Sequence, residues 1–241
     1  MKMRVDALLV GPVQSLGDSQ HVSGIAKQAV TDRRWLGRLG FDGDEQADHK
    51  HHGGLDKAVH HYAFDHYIDW AKQIGAREIL TRPGAFGENL STRGCTEAEV
   101  CIGDIYSLGE AMVEVSQARQ PCWKLNIRFG YPAMSSLVQE SGRTGWYYRV
   151  RAPGWVAAGD ALMLCERPHP EWPLSRLLDV LYRRTDDHAA LARLAQLEVL
   201  ADSWRKLFAR RLERGEVEDW SARLLGQHAA GPDVVPYPKN Q

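Results

Sequence analysis

The chain has 241 residues, 44% hydrophobic and 25% charged, enough to bury a core without disulfide or metal staples and too apolar for intrinsic disorder. Thirty Lys and Arg against 31 Asp and Glu give a formal net charge of −1, so no global field points to nucleic acid or an anionic membrane. No apolar run approaches the roughly 20 residues that cross a bilayer, and the first ten residues are too short in their apolar part for a signal peptide.

In chain order, residues 5–10 read as a first strand, apolar and strand-length. Apolar or aromatic residues at Val59, Tyr62, Ala63, Tyr67, Trp70 and Ala71 predict a helix over residues 57–74, ending at Gly75. Residues 100–108 and 156–164 echo each other, each placing a Gly-Asp turn pair (Gly103-Asp104, Gly159-Asp160) before an apolar run. Val113 and Val115 alternate with Met112 and Glu114, the period of a half-buried strand. Met134, Leu137 and Val138 predict a helix over residues 132–141 closed by Gly142, and residues 146–150 are aromatic and β-branched strand material. Many short strands with Gly-rich turns predict a barrel or sandwich over residues 1–165.

From Pro173 the texture changes. Leu174, Leu177, Leu178 and Leu181 share one helical face; Asp187 caps a second helix with Leu191, Leu194, Ala195 and Leu197. Ser203 caps a third, with Leu207, Phe208 and Leu212, closed by Gly215. The expectation is a three-helix unit over residues 166–226 and a loose, proline-containing tail over residues 227–241.

Nicotinamide and nucleotide fingerprints (GxGxxG, GxxxxGK[ST]) and the GxSxG elbow are absent, so a reductase built from this chain needs an outside source of electrons. Cys95, Cys101, Cys122 and Cys165 form no CxxC pair and are too sparse for a disulfide framework; reduced thiols in a cytoplasmic setting are expected. Cys122 stands apart, three residues after Arg119 and two before Lys124, where cations favour the thiolate that serves as nucleophile or metal ligand. Cys101 and Cys165 fall in apolar runs and are expected in the core.

Two further clusters are polar. Residues 40–54 bring His49, His51 and His52 together with Asp42, Asp44 and Asp48, open either to a metal or to a turn that satisfies its own backbone. His60, His61 and His66 are expected on the following helix, most of them at its surface or at an interface. Residues 84–90 carry Gly87, which permits a positive φ, and Asn89, which offers both a donor and an acceptor.

These clusters, in this order, resemble the MOSC domain family (molybdenum cofactor sulfurase C-terminal domain), in its YiiM-like branch with a C-terminal three-helix domain. The matching residues are Ser23–Lys27, Gly43-Asp44 with Gln46 and Asp48, and His52–Val59. Further matches are Phe86–Leu90, Gly103-Asp104, Gln117–Lys124, and Gly145–Arg149 ahead of Gly159-Asp160. The family pattern departs at Gln28-Ala29, where an apolar or proline step is usual. The resemblance implies a MOSC-type β-barrel with flanking helices and a pterin-based molybdenum cofactor (molybdopterin) whose protein ligand, and catalytic centre, is Cys122. It implies cofactor contacts from Arg119, Lys124, Lys27, Arg149, His52 and Asn89, the cations toward phosphate and the last two toward the pterin edge or a metal oxo group. It implies reduction of N-hydroxylated compounds, such as hydroxylaminopurine-type bases, to amines, with electrons from a flavin or iron–sulfur partner protein. Two other readings stay open: a persulfide carrier using Cys122 for cofactor sulfuration, and a non-catalytic binding module whose tail is the partner surface. Neither nucleic acid nor membrane is expected as a partner, and the oligomeric state is open, a dimer included.

Overall fold

The computed structural model describes residues 1–48 and 53–226. The N-terminal segment forms β1 (Lys2–Arg4) and β2 (Ala7–Val10), followed by a short hairpin of β3 (Gln14–Ser15) and β4 (Val22–Ser23). Then come β5 (Gln28–Val30), β6 (Arg34–Gly37), β7 (Gly40–Phe41), β8 (Val59–Ala63) and helix α1 (Asp65–Ile74). The centre of the chain adds β9 (Leu90–Thr92), β10 (Ile105–Leu108), β11 (Ala111–Ala118), α2 (Lys124–Phe129) and α3 (Met134–Ser141). After β12 (Trp146–Ala152), β13 (Gly154–Val156) and β14 (Ala161–Glu166), four helices close the described chain. These are α4 (Leu174–Tyr182), α5 (His188–Ala195), α6 (Asp202–Arg214) and α7 (Ser221–Leu225).

Nine strands form one strongly curled mixed sheet, a half-barrel, in the order β1-β14-β10-β11-β12-β8-β9-β2-β5. Residues 2–10 are its seam. β1 pairs antiparallel with β14, and a few residues later β2 pairs antiparallel with β9, so one continuous segment bonds to opposite ends of the curl. Val5 fastens the step between them, donating to the Asp160 carbonyl at 2.9 Å and accepting from Gly159 N–H at 2.8 Å. β5 and β9 cover both edges of β2, and all four of its residues are buried.

The two Gly-Asp echoes do the same job on neighbouring strands. Asp104 accepts from the Cys101 N–H at 2.9 Å ahead of β10, and Asp160 accepts from the Ala157 N–H at 2.8 Å ahead of β14. β10 and β14 then pair antiparallel.

The helix expected over residues 57–74 is three elements instead: a 3-10 turn at Leu55–Lys57, strand β8, and α1. β8 lies between β12 and β9 with all five residues buried, so apolar residues on both faces imitate a helical period. His60 and His61 therefore sit inside a sheet, not on a helix surface, and His66 on α1 is also buried, 2.7 Å from Glu97.

The tail follows the predicted faces. α4 buries Leu174, Leu177, Leu178 and Leu181, and Asp187 caps α5 by accepting from the Ala190 N–H. The expected cap at Ser203 is displaced: α6 begins at Asp202 after Ala201, with no side-chain cap. Leu174, Leu177, Trp204 and Phe208 belong to the same apolar core as Val113, Val115 and Tyr148 of the half-barrel, so the helices complete that core. A second core, built on Tyr62, Trp70, Phe86, Leu125, Phe129 and Met134, lies beneath α1, α2 and α3.

Candidate active site

Seven stretches converge on one cleft of about 590 Å³, its open mouth included: residues 23–27, residues 44–48, Lys57, His60 of β8, residues 86–89, the turn after β11, and Tyr147 of β12. Close backbone crossings shape its rim. At Gly87, with φ +76°, an added Cβ would lie 2.6 Å from Ile25, so only glycine lets these two walls meet. Gly24 passes more tightly still, where a Cβ would lie 2.0 Å from the Glu45 carbonyl oxygen.

The floor comes from the sheet. Tyr147 of β12 and His60 of β8 are cross-strand partners and project to the same face, with ring centroids 5.0 Å apart. Burial, reinforced by the nearby Arg119 charge, holds His60 well below the usual histidine range, so its ring is neutral. Phe86 closes one wall, stacked on Tyr62 at 3.9 Å.

Among the described lining residues four are basic (Lys27, Lys57, Arg119, Lys124) and three acidic (Asp44, Glu45, Asp48). Lys27 is buried and ion-paired with Asp44, whose carboxylate also accepts from Gly11 N–H at 3.2 Å and from the Asn89 amide at 2.9 Å. Burial pulls the Lys27 ammonium below its ordinary range, against the opposing pull of Asp44. Lys57 is lowered likewise by burial, with Asp48, Asp56 and the Cys122 thiol acting against that shift. Arg119 is 5% exposed, and its Nη1 is buried without a hydrogen-bond partner among the described residues. A buried guanidinium nitrogen left unpaired is costly and waits for an acceptor.

Cys122 is half-buried and lines this cleft together with Arg119 and Lys124. Lys27 and Asn89 line it as well. Arg149 does not. It shares a strand face with Tyr147 but is held by Asp56 at 2.7 Å, by Glu114 at 3.5 Å and by the Val199 carbonyl at 3.0 Å, tying the barrel to the tail. His49, His51 and His52 lie outside the described residues. Among those that are described, no group of three His, Cys, Asp or Glu is placed to hold a metal ion.

The other cysteines divide differently from expectation. Cys95 and Cys101 are buried, and burial pushes the Cys95 thiol up to about 12. Cys165, expected in the core, is exposed because it falls near the end of β14, where that strand's burial gives out.

Sequence reasoning missed His60, Tyr147 and Lys57 as cleft residues. Tyr147 was within reach: it shares the alternating face of Arg149, and the charged residue drew attention from the aromatic one. His60 was hidden by the reading of β8 as a helix.

The MOSC domain family matches residues 48–163, and the YiiM-like 3-alpha helix domain matches residues 172–215. Protein YiiM of Escherichia coli is 39% identical over 227 residues, covering 94% of this chain and 100% of that protein. Its crystal structure aligns at a TM-score of 0.80, with 34% identity, over 94% of this chain and 100% of that chain. A protein named reductase from Gibberella moniliformis is 40% identical over 176 residues, 73% of this chain but 31% of that longer protein. Among the described residues no helix is long and apolar enough to cross a membrane.

Proposed function

The chain belongs to the MOSC domain family, in its YiiM-like branch, and from that premise we propose that it is an oxidoreductase that holds a molybdenum cofactor and reduces N-hydroxylated compounds to amines. The observation that carries the reading is the pairing, in one cleft, of a half-buried thiol with a buried guanidinium that has an unpaired donor. This donor set fits a phosphate-bearing, sulfur-rich metal group. A soft thiolate suits such a metal, and a guanidinium suits a phosphate.

Cys122 would be the protein's ligand to the metal, with Arg119 and Lys124 holding the phosphate. Lys27 is committed to Asp44, so its part is to orient that carboxylate and Asn89. When bound, the cofactor supplies two-electron, oxygen-accepting redox chemistry. The remaining work belongs to the chain. Phe86 and Tyr147 wall off water, and neutral His60 presents a ring that exchanges hydrogen bonds without adding charge beside Arg119. Conversion of an N-hydroxylamine to an amine and water consumes two electrons and two protons; the electrons come from a partner redox protein of the flavin or iron–sulfur class. The proposal carries a cytoplasmic setting, where the thiols stay reduced.

Metal and pterin analysis of protein produced in a cofactor-competent host tests this directly. Molybdenum and pterin near one equivalent each support it. A sulfane-sulfur adduct on Cys122 without molybdenum contradicts it and favours sulfur transfer.

A further inference from the structure

The peptide groups on both sides of Cys122 are bonded to one residue, Arg223 of α7. Its guanidinium donates to the carbonyl of Pro121, immediately before the thiol, and its own carbonyl accepts from the Trp123 N–H, immediately after it, at 2.8 Å. The same guanidinium donates to Gln139 Oε1 of α3 at 2.6 Å. The next residue continues the clasp: the Leu224 carbonyl accepts from Asn126 Nδ2 at 2.9 Å and from Ser135 Oγ at 2.8 Å. Gly226 then lies flat on the Trp123 indole, where a Cβ would come within 3.3 Å of the ring.

This clasp is anchored at its far end too. Arg211 of α6 is 3% exposed and holds Glu218 through two bonds of 2.9 and 2.7 Å, while also donating to the Leu181 carbonyl at 2.8 Å. Asp219, two residues ahead of α7, accepts from the Ser221 N–H at 2.8 Å and the Ser221 hydroxyl at 2.6 Å. A rigid path therefore runs from the tail bundle through Glu218 to α7 and the Cys122 loop. α7 itself lies beyond residues 172–215, where the three-helix family match ends.

We infer that α7 is a strap and Arg223 a positioning residue that fixes the attitude of the Cys122 backbone at the cleft. This rests on the reading of Cys122 as the site's working thiol. Cys122 follows a proline and stands just before the six-residue α2, where Leu125 N–H donates to the Cys122 carbonyl at 3.0 Å, and Arg223 adds bonds to both flanking peptide groups from outside the loop. The charge-assisted bond from its guanidinium to the Pro121 carbonyl ties this turn to α7 more firmly than the backbone bond alone.

The test uses the full chain with Arg223→Ala and Arg223→Lys, and reads iodoacetamide alkylation of each cysteine by peptide mass spectrometry. Exposed Cys165 serves as the internal reference. Arg223→Ala removes the guanidinium bonds and keeps the backbone one, and should speed Cys122 alkylation about tenfold relative to Cys165, the scale of one lost charge-assisted bond, while Arg223→Lys should restore part of the protection. Turnover of an N-hydroxylamine with reduced viologen should show kcat falling about tenfold at little-changed KM in Arg223→Ala. If Cys122 alkylation in Arg223→Ala matches the parent protein, or rises together with buried Cys95 and Cys101, the strap is refuted. If the parent protein shows no turnover while the alkylation response holds, the strap stands and the reductase reading falls.

Discussion

Asn89 and His60 hold each other by two hydrogen bonds: the Asn89 N–H donates to the His60 carbonyl at 2.8 Å, and the His60 N–H donates to Asn89 Oδ1 at 3.0 Å. That pairing leaves the Asn89 amide nitrogen only one direction, toward the Leu9 carbonyl at 3.1 Å and Asp44 at 2.9 Å. Asn89 thus joins β2, β8 and the Lys27–Asp44 pair at the back of the cleft. Asn89→Leu strands a buried N–H, a carbonyl and a carboxylate oxygen together. We predict a loss of about 2–4 kcal/mol in urea unfolding. A change under about 0.5 kcal/mol would mean that these bonds are not formed in solution.

Arg119 presents the reverse case. Its charge is buried near Lys27 and His60 with one nitrogen unpaired, so the cofactor-free protein carries a cost there. Arg119→Gln should leave the cofactor-free melting temperature unchanged or raise it by a few degrees, roughly 1 kcal/mol, while molybdenum retained after purification falls about tenfold. A lower melting temperature with full molybdenum content would assign Arg119 to structure alone.

Stability should fall on the acid side because of the buried histidines. His61 bonds to Tyr148 OH and Thr92 Oγ1, both at 2.9 Å, and burial lowers it to about 3. In the unfolded chain it titrates near 6.5, so between these values the unfolded state binds more protons. Its contribution is complete above about pH 6.5 and drains away as the pH drops toward 3, by up to about 1.4 kcal/mol per unit. Urea midpoints at pH 7.5, 6 and 5 should fall in that order, with a shallower trend in His61→Gln. Equal slopes in the two proteins would place the acid sensitivity elsewhere.

The ordered motifs named several of the residues that the fold brings to one cleft. Residues 117–124 were readable because a cysteine between two cations is chemically unusual wherever it lies. The tail helices were readable too, since Leu174, Leu177, Leu178 and Leu181 form a one-sided stripe, and all four are buried. β8 was not, because a central strand covered on both faces loses the alternation that identifies strands. Arg149 misled for another reason: its charge is visible in sequence, but Asp56, 93 positions away, which takes that charge, is not. The α7 strap left no sequence signal. Five helical residues carry no periodicity, and the bonds of Arg223 to the Cys122 loop go to backbone carbonyl and amide groups that any sequence provides.

Replacement of Cys122 by serine tests the central claim most directly. The two side chains are nearly isosteric and this one is half-buried, so folding should be little changed. A hydroxyl is a hard, poorly ionised ligand, a poor substitute for the soft thiolate that the proposed molybdenum ligation uses. With reduced viologen as electron source, Cys122→Ser should lose N-hydroxylamine reduction and most of its molybdenum, while Cys165→Ser, at an exposed position outside the cleft, keeps both. Normal turnover and metal content in Cys122→Ser would contradict the account.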